Sequence, residues 1–161
     1  MRSASLWAAE IVSPDHHVLA SRPVTATGPP IRLLPRLDET NSFFWTAGEQ
    51  GVLKFLRCTS CRRYVHPPAP RCPYCLDGAL VPEAVSGRGR LHSFTVNHQQ
   101  WIPGSDPYVI GLVTIEEQND VRLTTNIVAC DEGDVYIGMA VEVTFEAHDD
   151  VWLPLFRPTG T

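Results

Sequence analysis

Lysine is almost absent from this chain, which has one, Lys54, among its 13 basic residues. A protein that binds nucleic acid through its phosphates needs many closely placed cations. The 13 basic residues are also unevenly distributed along the chain. Residues 54–90 carry seven basic and two acidic residues (net +5), whereas residues 91–161 carry two basic and eleven acidic residues (net −9). The composition therefore disfavours a general nucleic-acid binder, although the basic region is able to attract phosphates of a nucleotide-bearing substrate.

Long apolar runs are also missing. No stretch approaches the roughly 20 apolar residues that a membrane-spanning helix needs. The first 20 residues lack the continuous apolar core of a secretory signal, because they are interrupted by Glu10, Pro14, Asp15, His16 and His17. These absences predict a cytoplasmic protein without a membrane partner, whose cysteine thiols stay reduced.

A recognisable catalytic constellation is the third absence. His92 and His98 lie six residues apart on one predicted strand, but no serine or thiol is paired with them. The adjacent carboxylates at 116–117 and 131–132 fall at strand ends, where solvation explains them. No phosphate-binding glycine loop and no Ser-His-Asp order occurs. The sequence therefore predicts a chain without catalytic residues of its own.

Two cysteine pairs of the same form are present, Cys58-x-x-Cys61 and Cys72-x-x-Cys75, with ten residues between them. Two such loops facing each other form a tetrahedral four-thiolate cage, which suits Zn²⁺. Four protein ligands leave no open coordination position, so the predicted zinc is structural. Iron in a rubredoxin-like cage is the alternative, but a redox protein would not need the large strand-rich half that follows.

The remaining candidate ligands are not needed for this cage. His66 lies between the two cysteine pairs, but the thiolates already number four. Cys130 ends an alternating apolar run, so we expect a buried small hydrophobe rather than a reactive thiol.

The chain divides into four predicted parts. Residues 1–36 form an extended proline-rich arm, with a short strand near residues 17–20. Residues 37–52 hold a short helix over 39–49, which carries three adjacent aromatic residues that cannot all face one side. Residues 53–82 form the metal ribbon, which has few large apolar side chains and therefore depends on its metal for folding. Residues 83–161 form a barrel.

Five predicted strands build this mainly β barrel, at residues 88–99, 108–117, 121–129, 138–148 and 152–156. Asn119-Asp120 predicts a hairpin turn between the second and third strands. Pro154 predicts an edge or bulge position in the last strand. Gly87 and Gly89 mark where the first strand must coil sharply.

Taken in order, these motifs resemble a known family. They include Cys72-Pro73-Tyr74-Cys75, Ser86-Gly87-Arg88-Gly89, the run at 107–113, the run at 138–143, and the terminal run at 153–158. Over residues 33–158 the chain is similar to the acyl-CoA-associated OB-fold proteins with a rubredoxin-like zinc ribbon, long catalogued as a domain of unknown function. It departs from the pattern at Arg62 and Leu76, which stand where such cysteine loops often have glycine.

The resemblance implies an OB-fold barrel and an accessory role. Members of this family are partners of thiolase-superfamily enzymes, including lipid-transfer-protein-type enzymes, and some act with the hydratases and aldolases of steroid side-chain breakdown. The partner carries the catalytic groups, and the implied chemistry is retro-aldol cleavage of a β-hydroxyacyl-CoA. A CoA thioester at the interface would place its phosphates near Arg62, Arg63 or Arg88.

Two other functions stay open. An OB-fold with a zinc ribbon can bind single-stranded nucleic acid by stacking bases in a basic groove, although the acidic barrel half disfavours this. A self-sufficient enzyme acting on CoA thioesters is the least favoured function, because no catalytic group was found.

Overall fold

The computed structural model describes residues 32–101 and 105–160. The predicted strand near residues 17–20, and most of the predicted arm, lie outside these residues. Within them, no helix is long and apolar enough to cross a bilayer. The elements in chain order are α1 (Ser42–Thr46), β1 (Leu53–Cys58), β2 (Tyr64–Val65), β3 (Leu80–Val85), β4 (Arg88–Asn97), β5 (Tyr108–Ile115), β6 (Arg122–Ile127), β7 (Ala140–His148) and β8 (Val151–Pro158).

The last five strands close into a barrel in the order β4-β5-β6-β8-β7, which confirms the predicted OB-type barrel. Buried and more exposed side chains alternate along the barrel strand β5, where every second residue from Val109 to Ile115 is buried. The β4–β5 register shifts between Leu91 and Ser93, and such a bulge bends a strand strongly. Gly89 lies beside it, where an added Cβ would come within 2.5 Å of the Thr114 carbonyl oxygen. Close backbone approach therefore explains this glycine.

β8 is longer than predicted, and Pro154 lies in its interior. Because the barrel is closed and β8 lies between β6 and β7, Pro154 is not at a free edge. It pairs with Phe145 of β7, and its carbonyl oxygen accepts a hydrogen bond from Thr125 Oγ1 at 2.7 Å. On that side β8 meets β6 through a single paired position, Ile127 with Phe156. A residue without an N–H is tolerated there because the parallel ladder is so short.

The predicted helix over 39–49 is shorter than expected. Its first residues form a turn instead, because the Asp38 carboxylate accepts the backbone N–H groups of Thr40 (2.8 Å) and Asn41 (3.0 Å). After α1, residues 47–50 continue as a 3₁₀ turn. Phe44 is buried and stacks on Phe55 with ring centroids 6.0 Å apart, whereas Phe43 and Trp45 are half-buried.

The ribbon forms its own small sheet, in the order β2-β1-β3. The sequence did not predict β3, whose residues are exposed or half-buried and so lack the alternation of a strand. β3 pairs with β1 from Leu53–Val85 to Cys58–Leu80. It therefore crosses residue 82, the predicted boundary between ribbon and barrel.

Candidate metal centre

The two cysteine loops are built alike. In the first, the Cys58 N–H donates to the Arg63 carbonyl at 2.9 Å, and the Arg62 N–H donates to the Cys58 carbonyl at 2.9 Å. In the second, the Cys72 N–H donates to the Asp77 carbonyl at 2.8 Å, and the Leu76 N–H donates to the Cys72 carbonyl at 2.9 Å. We call these loops knuckle 1 (residues 58–63) and knuckle 2 (residues 72–77).

Each knuckle contains one residue in the left-handed region, Arg62 with φ 64° and Leu76 with φ 62°. These are the two positions at which the family resemblance predicts glycine. The knuckle geometry is therefore kept without glycine, at a backbone cost of roughly 1–2 kcal/mol for each residue.

The four sulfurs converge on one point, with all pairs within 4.8 Å of one another. The closest pairs, Cys58 with Cys75 and Cys61 with Cys72, are each 3.5 Å apart. Zinc–sulfur bonds of about 2.3 Å in a tetrahedron hold sulfurs about 3.8 Å apart, so the cluster fits this ion. Cys58 and Cys72 are fully buried, whereas Cys75 is exposed.

The close approach of the four sulfurs also shifts their protonation. Burial would raise the pKa of Cys72, but the N–H groups of Cys75 and Tyr74 and the nearby sulfurs lower that pKa to about 7. The Asp77 N–H lowers the pKa of Cys75, yet desolvation and the other three sulfurs outweigh it and raise that pKa to about 12. Four thiolates at this spacing repel one another, and a dication removes that repulsion.

His66 does not join this cluster. Its ring lies 5.1 Å from that of Phe44 and 4.7 Å from that of Phe55. Burial lowers its pKa to about 4, and its Nδ1 finds no hydrogen-bond partner among the described residues. His66 is therefore a neutral member of an aromatic cluster, in agreement with the expectation that the four cysteines suffice as ligands.

Cys130 lies far along the chain, against the barrel core, as a half-buried side chain. It lines a cleft of about 850 Å³ together with Asp131 and Asp134. Burial and these two carboxylates raise the pKa of the thiol, so Cys130 stays protonated and is a weak nucleophile at neutral pH.

The knuckles also contact the turn between β5 and β6. The Tyr64 N–H donates to Gln118 Oε1 at 2.7 Å, and Gln118 Nε2 donates to the Tyr64 carbonyl at 3.1 Å. The Tyr74 hydroxyl donates to Asp120 at 3.2 Å, and the Arg63 guanidinium pairs with Asp120 as well. We call this set of contacts the clasp. No local sequence signal marks it, because its partners are far apart in the chain.

The three arginines proposed for CoA phosphates differ in their surroundings. The Arg63 guanidinium is engaged in the clasp and lies 3.9 Å above the Tyr74 ring. Arg62, in knuckle 1, and Arg88, at the start of β4, are exposed. The two histidines on the predicted first barrel strand, His92 and His98, are exposed too.

Two family profiles match the chain in succession. Residues 45–81 match the profile "ChsH2, rubredoxin-like zinc ribbon domain". Residues 82–146 match "ChsH2, C-terminal OB-fold domain".

Relatives fall into two groups. A DUF35 domain-containing scaffold protein of Methanocaldococcus jannaschii is 36% identical over 100 residues, covering 60% of this chain and 70% of the relative. A probable enoyl-CoA hydratase alpha subunit of Thermomonospora curvata is 35% identical over 130 residues, covering 80% of this chain and 40% of the relative. The 3-oxo-4,17-pregnadiene-20-carboxyl-CoA hydratase alpha subunit of Mycobacterium tuberculosis is 32% identical over 133 residues. The match covers 81% of this chain and 41% of the relative. The chain thus spans about two fifths of each hydratase subunit.

Solved structures agree with these matches. A structure named Ltp2-ChsH2(DUF35) aldolase superposes with a TM-score of 0.69 at 35% identity, over 78% of this chain and 98% of that chain. A DUF35 protein of unknown function from Sulfolobus solfataricus superposes with a TM-score of 0.56 at 16% identity, over 75% and 86%, and supports the fold alone.

Proposed function

Because the chain belongs to the ChsH2/DUF35 family, we propose that it is an accessory zinc-binding subunit of a thiolase-like enzyme acting on acyl-CoA thioesters. The reaction of the complex would be retro-aldol cleavage of a β-hydroxyacyl-CoA in steroid side-chain degradation. The observation that carries the proposal is the match at 35% identity to nearly the whole of one chain named as part of an aldolase. The name of the Mycobacterium tuberculosis relative supports a steroid-derived CoA thioester.

In this proposal the zinc is structural. Cys58, Cys61, Cys72 and Cys75 would hold it, and the ion would supply four bonds that join the two knuckles. The ribbon needs them because its own buried cluster contains only Leu56 and Val65 besides two of the cysteines. With all four positions filled by sulfur, the ribbon's residues serve to shape and orient a surface.

The catalytic chain would be the partner, and this chain would stabilise it and help to hold the thioester. Arg62 and Arg88 are the better candidates for CoA phosphates, because both are exposed. Arg63 would contribute less, since its guanidinium is already paired with Asp120. A phosphate contact of this kind gains from the net charge of +5 over residues 54–90.

Reconstitution tests the proposal. The purified chain is mixed with the Ltp2 component of the matched aldolase, and the mixture is analysed by size-exclusion chromatography with light scattering. We expect a stable complex that cleaves a steroid β-hydroxyacyl-CoA, whereas this chain alone cleaves nothing. Failure to form the complex, or turnover of a thioester by the isolated chain, would contradict the proposal.

A further inference from the structure

Leu76 occupies an unfavourable position in two respects. Its backbone lies in the left-handed region, with φ 62°, which a branched side chain rarely adopts. Its side chain is 72% exposed, so the leucine gains little from burial within the chain. A glycine would relieve the backbone and lose almost no packing.

Its neighbours do not explain it. Tyr74, in the same knuckle, is also exposed, but it contacts Arg63 and Asp120 in the clasp. Leu76 belongs to neither of the two apolar clusters that the described residues form. Backbone strain that no contact among the described residues offsets is typical of functional positions, so Leu76 is a candidate for a contact with another molecule.

The metal cage is open on the same side. Cys58 and Cys72 are fully buried, but Cys75, next to Leu76, is exposed. Residues 73–79 form an unbroken exposed stretch, whose first four residues are a proline, a tyrosine, a cysteine and a leucine. A protein surface that covered Leu76 would therefore also cover Cys75, the most exposed of the four cysteines.

We propose that Leu76 is the apolar anchor by which knuckle 2 docks on the catalytic, thiolase-like chain; this inference rests on the function proposed above. The matching surface is an apolar pocket with an acidic rim, because exposed Arg71 lies directly beside knuckle 2. Docking there also covers Cys75, which is exposed in the chain by itself.

Three substitutions at Leu76 separate the side chain from its backbone. Leu76→Gly and Leu76→Asn suit the left-handed region but remove the apolar anchor. Leu76→Met keeps an apolar side chain and the backbone strain. Ile137→Ser is the matched control, since Ile137 is a similarly exposed aliphatic residue (68%) elsewhere on the surface.

The Kd for the Ltp2 component is measured by titration calorimetry, with the Tm and zinc content of each variant. We expect Leu76→Gly and Leu76→Asn to raise the Kd by about tenfold or more, while Tm stays equal or rises and zinc is retained. Leu76→Met and Ile137→Ser should stay within about threefold of the unsubstituted chain.

Equal affinity of the Gly and Asn variants and the unsubstituted chain would overturn the anchor while leaving the accessory function standing. Absence of binding by the unsubstituted chain would instead remove the proposed function, and the anchor with it. If sedimentation shows that the isolated chain dimerises and that Leu76→Gly dissolves the dimer, the occupant is a second copy, which also overturns the inference.

Discussion

Gln118 forms two hydrogen bonds with the backbone of Tyr64, accepting its N–H at 2.7 Å and donating to its carbonyl at 3.1 Å. A single side-chain amide thus pairs with β2 in the way that a neighbouring strand would. The residue comes from the β5–β6 turn of the barrel, and Tyr64 follows knuckle 1 directly. The metal ribbon and the barrel are therefore connected through the same segment that supplies two of the ligands.

Replacing this amide tests the clasp. Gln118→Ala leaves both Tyr64 backbone groups without their partner, so we expect the free energy of unfolding to fall by about 1–2 kcal/mol. Urea unfolding of the zinc-loaded chain measures the change. Asn119→Ala, at the exposed neighbouring position, is the control and should have little effect. Equal stability of the two variants would show that the clasp is not stabilising.

Removing a zinc ligand should prevent assembly rather than alter a chemical step. Zinc supplies about 10–16 kcal/mol of apparent folding energy in zinc-finger peptides, more than a small ribbon has in reserve. We expect Cys72→Ser to lose the metal and to fail to bind the Ltp2 component, as measured by elemental analysis and complex recovery. Cys130→Ser, outside the cluster, should keep both. An intact Cys72→Ser complex without turnover would contradict this expectation.

His66 should make the stability depend on pH. Its pKa of about 4 in the folded chain lies below the usual 6.5, so the folded state favours the neutral ring. The stability that the neutral His66 ring gives the folded state is fully present above pH 6.5. It is lost as the pH falls toward 4. We expect about 2 kcal/mol of destabilisation between pH 7 and pH 5 from this residue.

The measurement is the difference in unfolding free energy between the unsubstituted chain and His66→Phe at both pH values. Phenylalanine keeps an aromatic ring between Phe44 and Phe55 and does not titrate. The same slope in the His66→Phe variant would exclude a role for His66.

Gly48 should not tolerate a larger residue. An added Cβ would lie 2.4 Å from Trp152 Cβ and 2.5 Å from the Phe145 ring, where the 3₁₀ turn packs on the barrel. We expect Gly48→Ala to reduce stability by about 1–3 kcal/mol through overpacking. Gly133→Ala is the matched control, since nothing lies within 4 Å of its added Cβ. Equal thermal unfolding of the two variants would contradict this packing.

Single-stranded nucleic acid should bind weakly. The barrel does expose aromatic side chains suited to base stacking, Trp101 (76% exposed) and Tyr108 (38%). The net charge of −9 over residues 91–161 opposes a phosphate backbone, however. We expect no binding of a labelled 20-nucleotide strand at micromolar chain in about 0.15 M salt. Submicromolar binding that weakens steeply with salt would favour the nucleic-acid module instead.

Much of the fold followed from local patterns. The alternation of β5 and the turn at Asn119-Asp120 predicted neighbouring barrel strands, and the β5–β6 pairing confirms them. The helix length was less predictable, because an aspartate at position 38 can either cap a helix or close a turn. In the structure its side chain closes a turn with Thr40 and Asn41. β3 was missed since its side chains show no alternation, and it is held as a strand by pairing with β1.

The candidate site shows the same division. Two cysteine pairs at the right spacing determine a four-sulfur cluster by themselves, because each pair is a short loop whose geometry is local. Tertiary structure alone decided that Arg63 is engaged by Asp120, that Gln118 holds Tyr64, and that Leu76 stays exposed. Those relationships join residues as many as 57 positions apart, and no local pattern encodes which distant side chain folding will bring to a given surface.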